Sequence, residues 1–151
     1  MGELYIGLKW LHITTAVIAL GSNITHFFWL ISANKDPVHR ANILSLVKKI
    51  DDRMAVPSYA VTGICGITMW LWQWPTYSPW IITSLIIFTV LTIMGIAFGP
   101  FMYKWINLAK DQGPDNQQLF TLMYRLTTWW GGICIGALAI LYLMIWKPSL
   151  W

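Results

Sequence analysis

Four stretches of the chain run apolar almost without interruption: Leu4 to Ile31, Val56 to Trp74, Pro79 to Ile106 and Leu119 to Trp146. Each exceeds the roughly 17 residues a helix needs to cross the hydrocarbon core of a bilayer, and the first, third and fourth are long enough to tilt or protrude. The first begins too near Met1 for a basic leader and shows no small-residue cleavage site, so it is expected to be a retained helix and not a signal peptide. Pro57 suits the first turn of the second helix, where its missing N–H would be unpaired anyway. Between the first two spans, Ile43, Leu44, Leu46, Val47 and Ile50 recur at helical spacing against Lys48, Lys49, Asp51 and Asp52. That pattern predicts a short amphipathic helix lying on the membrane surface. The second and third spans are joined by WPTYSPW, an uncharged link with Pro75 and Pro79, expected as a tight interfacial hairpin; the third and fourth are joined by a polar loop with a Gly113-Pro114 break. The expected fold is all-α: a transmembrane four-helix bundle with one short interfacial helix, residues 1–151 forming a single membrane domain.

Composition agrees with the pattern. Hydrophobic residues make up 57% of the chain and charged residues 11%, against about 25% charged in a soluble domain. The net charge of +4 could point to nucleic acid, but the cations flank apolar segments. Lys35, Arg40, Lys48, Lys49, Arg53, Lys104, Lys110 and Arg125, eight of ten basic residues, fall on the two connections that an even-numbered bundle places on one side. Basic loops stay in the cytoplasm, so both termini are expected to face outward from a bacterial inner membrane, with no nucleic-acid partner. Trp70, Trp72, Trp74, Tyr77, Trp80, Tyr142, Trp146 and Trp151 gather at the opposite ends, where amphipathic rings prefer the headgroup layer. Most of the tryptophan is thereby explained without a ligand.

Small residues suggest how the helices meet, because lipid offers no hydrophobic gain for association. Gly95-Ile-Ala-Phe-Gly99 and Gly132-Ile-Cys-Ile-Gly136 supply such surfaces and are expected inside the bundle, a dimer face being the alternative. Pro100 should kink the third span. Cys65 and Cys134 lie in apolar runs without a CxxC pair and imply no disulfide framework.

The chemistry narrows to histidine. His12 and His26 are fourteen positions apart in the first span. Fourteen steps return a helix to within about 40° of its starting face and carry it about 21 Å along the axis, so the two imidazoles share a face near opposite ends. His39 lies in a polar loop. No carboxylate falls inside a span away from its ends: Glu3 is at the outer end, and Asp36, Asp51, Asp52, Asp111 and Asp115 are on the basic side. Ion-coupled transport through buried acids is therefore poorly supported. The chain contains no HExxH, phosphate loop or Ser-His-Asp set that would suggest a hydrolase or nucleotide enzyme.

KWLH at residues 9–12, Gly21, the DDR at 51–53, Pro57 and Thr62-Gly63 resemble a family of small bacterial integral membrane proteins of unknown function, a predicted four-helix family related to the CopD copper-resistance proteins and to HemJ-type protoporphyrinogen oxidases. The likeness covers the four-span layout along essentially the whole chain. It implies that His12, matching the first-helix histidine of the HemJ relatives, ligates a b-type haem.

The residues themselves leave two possibilities open. An imidazole is the usual proximal haem ligand, and an ionisable group within a membrane is a functional candidate by default; it can equally be a histidine hydrogen-bonded to a neighbouring helix. Dihaem cytochromes also space two ligands this way, but they supply matching histidines from a second helix, absent here. A second ligand would then be methionine, Met69 near the depth of His12 or Met102 and Met123 near that of His26, or would come from a partner; the opposing view makes these methionines core filler. Asp51, Asp52 and Arg53, with Arg125 and Lys104, are expected to converge on the inner face as candidates for an ion-pair cluster closing the cytoplasmic mouth or for a docking site whose cations hold haem propionates, solvated interfacial charges being the alternative. His26 lies close enough to the polar loop for water to satisfy it, so at most one haem per chain is expected, on His12. The leading expectation is a haem-b membrane protein in electron transfer or porphyrin redox chemistry. The alternative is a cofactor-free structural or assembly subunit, its apolar faces covered by lipid, a second copy or other membrane subunits.

Overall fold

Each apolar run forms a helix in the computed structural model, which describes residues 2–74, 77–111 and 117–149. In chain order these are α1 (Gly2–Lys35), α2 (Arg40–Ile50), α3 (Val56–Gln73), α4 (Pro79–Asp111) and α5 (Gln117–Trp146), with a π-helical turn, Asp51–Ala55, joining α2 to α3. No strand occurs among the described residues. Four rods are long and apolar enough to cross a membrane: Gly2–Lys35, the continuous Arg40–Gln73, Pro79–Asp111 and Thr121–Trp146. The expectations placed on Pro75, the Gly113-Pro114 break, Asp115 and Trp151 fall outside the described residues.

The second rod differs from the sequence pattern. Pro57 stands in the first turn of α3, as expected, but α3 is not a separate helix: the backbone is helical from Arg40 through Gln73. An α-helix would need the N–H of residue 57 for the carbonyl of Arg53, and proline has none. The turn before it widens instead, with the Val56 N–H bonded to the carbonyl of Asp51, five residues back. The apolar residues Leu44 and Val47 of α2 are fully buried in the core, packed with α1, α4 and α5.

Helix packing follows narrow stripes. On α1 the buried positions are Ala19, Asn23, His26, Leu30 and Ala33, spaced by three and four, the seam of a left-handed bundle. Leu119, Met123, Leu126, Trp130 and Ile133 form the matching stripe on α5. With lipid as the alternative environment, such seams are held by close packing and hydrogen bonds and not by escape from water. Gly136 receives the Leu91 side chain of α4, and Gly131 receives Phe27 of α1.

The rods pack in the order α3, α1, α5, α4, and α2 wedges between α1 and α4 at the basic end. α3 and α4 meet less closely than the other neighbouring rods, with Phe88 of α4 reaching Tyr59 and Gly63 of α3. A cleft of about 460 Å³ lies between them. Gly95 and Gly99 of α4 line it, with nothing within 4 Å of where a Cβ would stand. This pair was expected to hold helices together and instead faces open space. At the other end, Trp74 and Trp80 meet edge to face at 5.2 Å, and the Lys147 ammonium sits 4.7 Å from the Trp74 ring centre.

Candidate functional site

His12 lies on the α1–α3 seam. Its Nδ1 is 2.9 Å from the carbonyl oxygen of Thr62. A carbonyl only accepts, so Nδ1 carries a proton, and it is Nε2 that holds the lone pair in the neutral imidazole. The Thr62 hydroxyl donates to Thr15 Oγ1 at 2.7 Å, and Thr15 donates back to the Leu11 carbonyl at 2.8 Å. The imidazole can lie this close to α3 because residue 66 is glycine: a Cβ there would stand 2.9 Å from His12 Cε1. Met69, buried on α3, follows Gly66 by three residues, a rise of about 4.5 Å.

His26 lies four turns further along α1, in a different state. It is fully buried, and neither ring nitrogen has a hydrogen-bond partner. Trp130 of α5 packs against it with ring centres 5.7 Å apart. Asp51 Oδ1 stands 4.0 Å from His26 Nδ1, beyond hydrogen-bond reach. The sequence suggested that water from the polar loop would satisfy His26; the structure seals it beneath α2 and the π-helical turn.

Beside His26, Asn23 links three helices. Its side-chain amide donates to the Tyr59 hydroxyl on α3, while its backbone carbonyl accepts from Trp130 Nε1 at 3.2 Å and from Cys134 Sγ at 3.4 Å. Neither Tyr59 nor this role of Asn23 was read from the sequence. A polar residue in mid-span was the available signal, since such a group must find a partner inside lipid.

At the basic end Asp52, one of the charges the sequence singles out, is paired, but with partners other than those expected. Lys48, nearly buried, pairs with Asp52, which also accepts from the Tyr103 hydroxyl of α4 at 3.0 Å. Arg40, 2% exposed, donates from Nε to the Ala33 carbonyl at 3.0 Å and so caps the end of α1. Arg53 and Arg125 are both exposed. Arg125 borders a shallow hollow on the α4–α5 face with Met94, Tyr124, Trp129 and Gly132. Met102 and Met123 are buried in the core at the level of α2. Cys65 and Cys134 are free. Among the described residues, no three of His, Cys, Asp and Glu gather as a metal-binding group.

As an axial ligand, His12 has suitable chemistry: one nitrogen oriented by a carbonyl, the other free, which is how metal-binding histidines are usually held. His26 has unpaired nitrogens but does not itself line the cleft, from which its neighbours Asn23, Asp51 and Trp130 separate it.

The profile of a family described as "Predicted integral membrane protein (DUF2269)" matches residues 6–148. No curated protein and no solved structure matches the chain.

Proposed function

The chain belongs to this predicted integral membrane protein family, and from that premise we propose that it is a b-type haem protein of the bacterial inner membrane, engaged in electron transfer or porphyrin redox chemistry. The observation that carries the proposal is the bond between His12 Nδ1 and the Thr62 carbonyl, which leaves the neutral imidazole's lone pair on Nε2, beside Gly66. The resemblance to CopD and HemJ-type proteins points the same way. Met69 is the second-ligand candidate on α3. A haem would supply one-electron chemistry; the chain orients His12 through the Thr62 carbonyl. Arg53 precedes Gly66 by thirteen residues, about 20 Å of helix, so Arg53 and Arg125 suit propionates only of a haem at the level of His26. In this reading the basic end is cytoplasmic, both termini lie outside, and α2 lies at the inner interface.

An optical spectrum of protein expressed with ample haem is the test. A Soret band that shifts on dithionite reduction, at most one haem per chain, and its loss in His12→Ala but not in His26→Ala are expected. No Soret band, or unchanged stoichiometry in His12→Ala, would overturn the proposal.

A second reading, a cofactor-free structural or assembly subunit, is favoured by one observation. Gly132 has nothing within 4 Å of a Cβ position and opens onto the exposed hollow beside Arg125 and Trp129, a surface where another helix could approach closely.

A further inference from the structure

We propose that the cleft between α3 and α4 is a binding site for a single bilayer-borne molecule with a long apolar tail and a hydroxyl head, of the quinol or long-chain alcohol class. This inference is independent of haem on His12, which does not line the cleft.

The shape argues for a tail. On α3 the lining runs from Val56 to Ile67, eleven steps or about 17 Å. The opposite wall, α4, presents Gly95 and Gly99 with open space where side chains would be. The cleft's volume of about 460 Å³ falls in the range of small-molecule sites, about 300–1,000 Å³. Phe88 of α4 touches Tyr59 and Gly63 of α3; beyond that contact the slot lies between two spanning helices, and Val56, Ile64 and Ile96 of its lining are exposed on a surface that faces the bilayer.

The head is specified by what stands at the basic end of the slot. Asp51, placed there by the π-helical turn, accepts no hydrogen bond among the described residues, and His26 behind it is 4.0 Å away. Tyr59, also in the lining, receives the Asn23 amide on its oxygen, so its own proton remains to be given. The end therefore offers an acceptor, Asp51, and a donor, Tyr59. A hydroxyl-bearing head suits either, donating to the carboxylate or accepting from the phenol. A phosphate head suits less well. Lys48, the cation in the lining, is already paired with Asp52, so the described lining offers no free cation to an anionic head.

The test uses the full chain in phosphatidylcholine nanodiscs with tail-diazirine probes: a decylubiquinol analogue, a farnesol analogue, the dimethyl ether of the quinol probe, and phosphatidic acid. Saturable labelling of α3 and α4 peptides by a hydroxyl probe, and weaker labelling by the ether and phosphatidic acid, are expected; the quinol and farnesol arms tell the two sources apart. Asp51→Asn should weaken the hydroxyl probe about tenfold, the usual worth of a hydrogen bond to a charged group, and leave the ether unchanged. Gly95→Leu or Gly99→Leu, each filling the slot, should abolish labelling. Equal labelling by hydroxyl, ether and phosphatidic acid probes would make the cleft an unselective lipid groove and overturn the proposal, whatever the variants do.

Discussion

Replacing Gly66 with alanine sets two opposite effects against each other at the His12 seam. Alanine is favoured over glycine in a helix by about 1 kcal/mol, so an unobstructed glycine-to-alanine change stabilises. At Gly66 the new methyl would stand 2.9 Å from His12 Cε1 and 3.3 Å from Nδ1, closer than real carbons approach. The ring ends a side chain and can swing away, which limits overpacking to the lower part of its range, about 1–2 kcal/mol. Swinging gives up the bond to the Thr62 carbonyl, about 1 kcal/mol more. The net is a destabilisation of about 1–2 kcal/mol. Gly21→Ala is the control, because nothing lies within 4 Å of its Cβ position, and it should stabilise. Reversible unfolding in mixed dodecyl sulfate micelles, followed by circular dichroism, measures both. In a His12→Ala background the obstruction is gone, so Gly66→Ala should turn neutral or stabilising, a coupling of about 1–3 kcal/mol. If Gly66→Ala matched Gly21→Ala in sign and size, or showed no coupling to residue 12, the ring would not be seated against α3 and the argument for His12 as an oriented ligand would fail.

Tyr59→Phe strands the Asn23 amide, 2% exposed, and should cost about 1–3 kcal/mol in the same unfolding assay; Asn23→Leu added to it should recover part of the loss. In the α1–α2 connection, the His39 backbone N–H and then its ring hold the Asp36 carboxyl below its ordinary range. The contact's contribution is therefore present above the ordinary carboxylate pKa and lost as pH falls through the lowered one; carboxyl NMR titration should show an upward shift in His39→Ala. Alkaline phosphatase fused at the C-terminus should be active and a cytoplasmic-type reporter silent, and the reverse result would invert the topology.

The spans were legible because a bilayer leaves the chain few choices: twenty apolar residues without internal partners must be helix. Helical angle alone predicts a shared face for His12 and His26; in the fold His12 meets α3 and His26 meets α5. Their different surroundings did not follow, because those depend on which residue of another helix arrives opposite. His12 meets Gly66, whose missing side chain admits the ring; His26 meets Trp130, which with α2 closes over it. The cations show the same limit. Arg53 and Arg125 looked alike to Lys48 and Arg40 as charges beside a span, yet only the latter two are drawn in, one to Asp52 and one to the Ala33 carbonyl. The Lys48–Asp52 pair is an i, i+4 pair that spacing alone allows, whereas the Arg40 bond to the Ala33 carbonyl depends on how α2 is turned against α1.

That turn is itself the work of Pro57. Read as a helix start, the proline separates an interfacial helix from a membrane span; placed inside a continuous helix, it forces a wider turn of backbone just before it. A widened turn changes the angular register of everything upstream relative to α3. With regular winding from Asp51 to Ala55, the face that carries Asp51 would be rotated relative to the α3 face that carries Tyr59 and Gly63. Both now line one cleft. The Asp-Asp-Arg-Met-Ala-Val-Pro run thus does more than mark an interface: its last residue removes a donor, the backbone compensates with an i to i−5 bond, and a carboxylate comes to stand at the end of an apolar slot next to a buried imidazole. Moving the proline tests the step. Pro57→Ala restores the donor and should let the turn relax toward α-helical winding, carrying Asp51 off the cleft; a hydroxyl probe should then lose its sensitivity to Asp51→Asn, and undiminished sensitivity would show that the proline does not set the register.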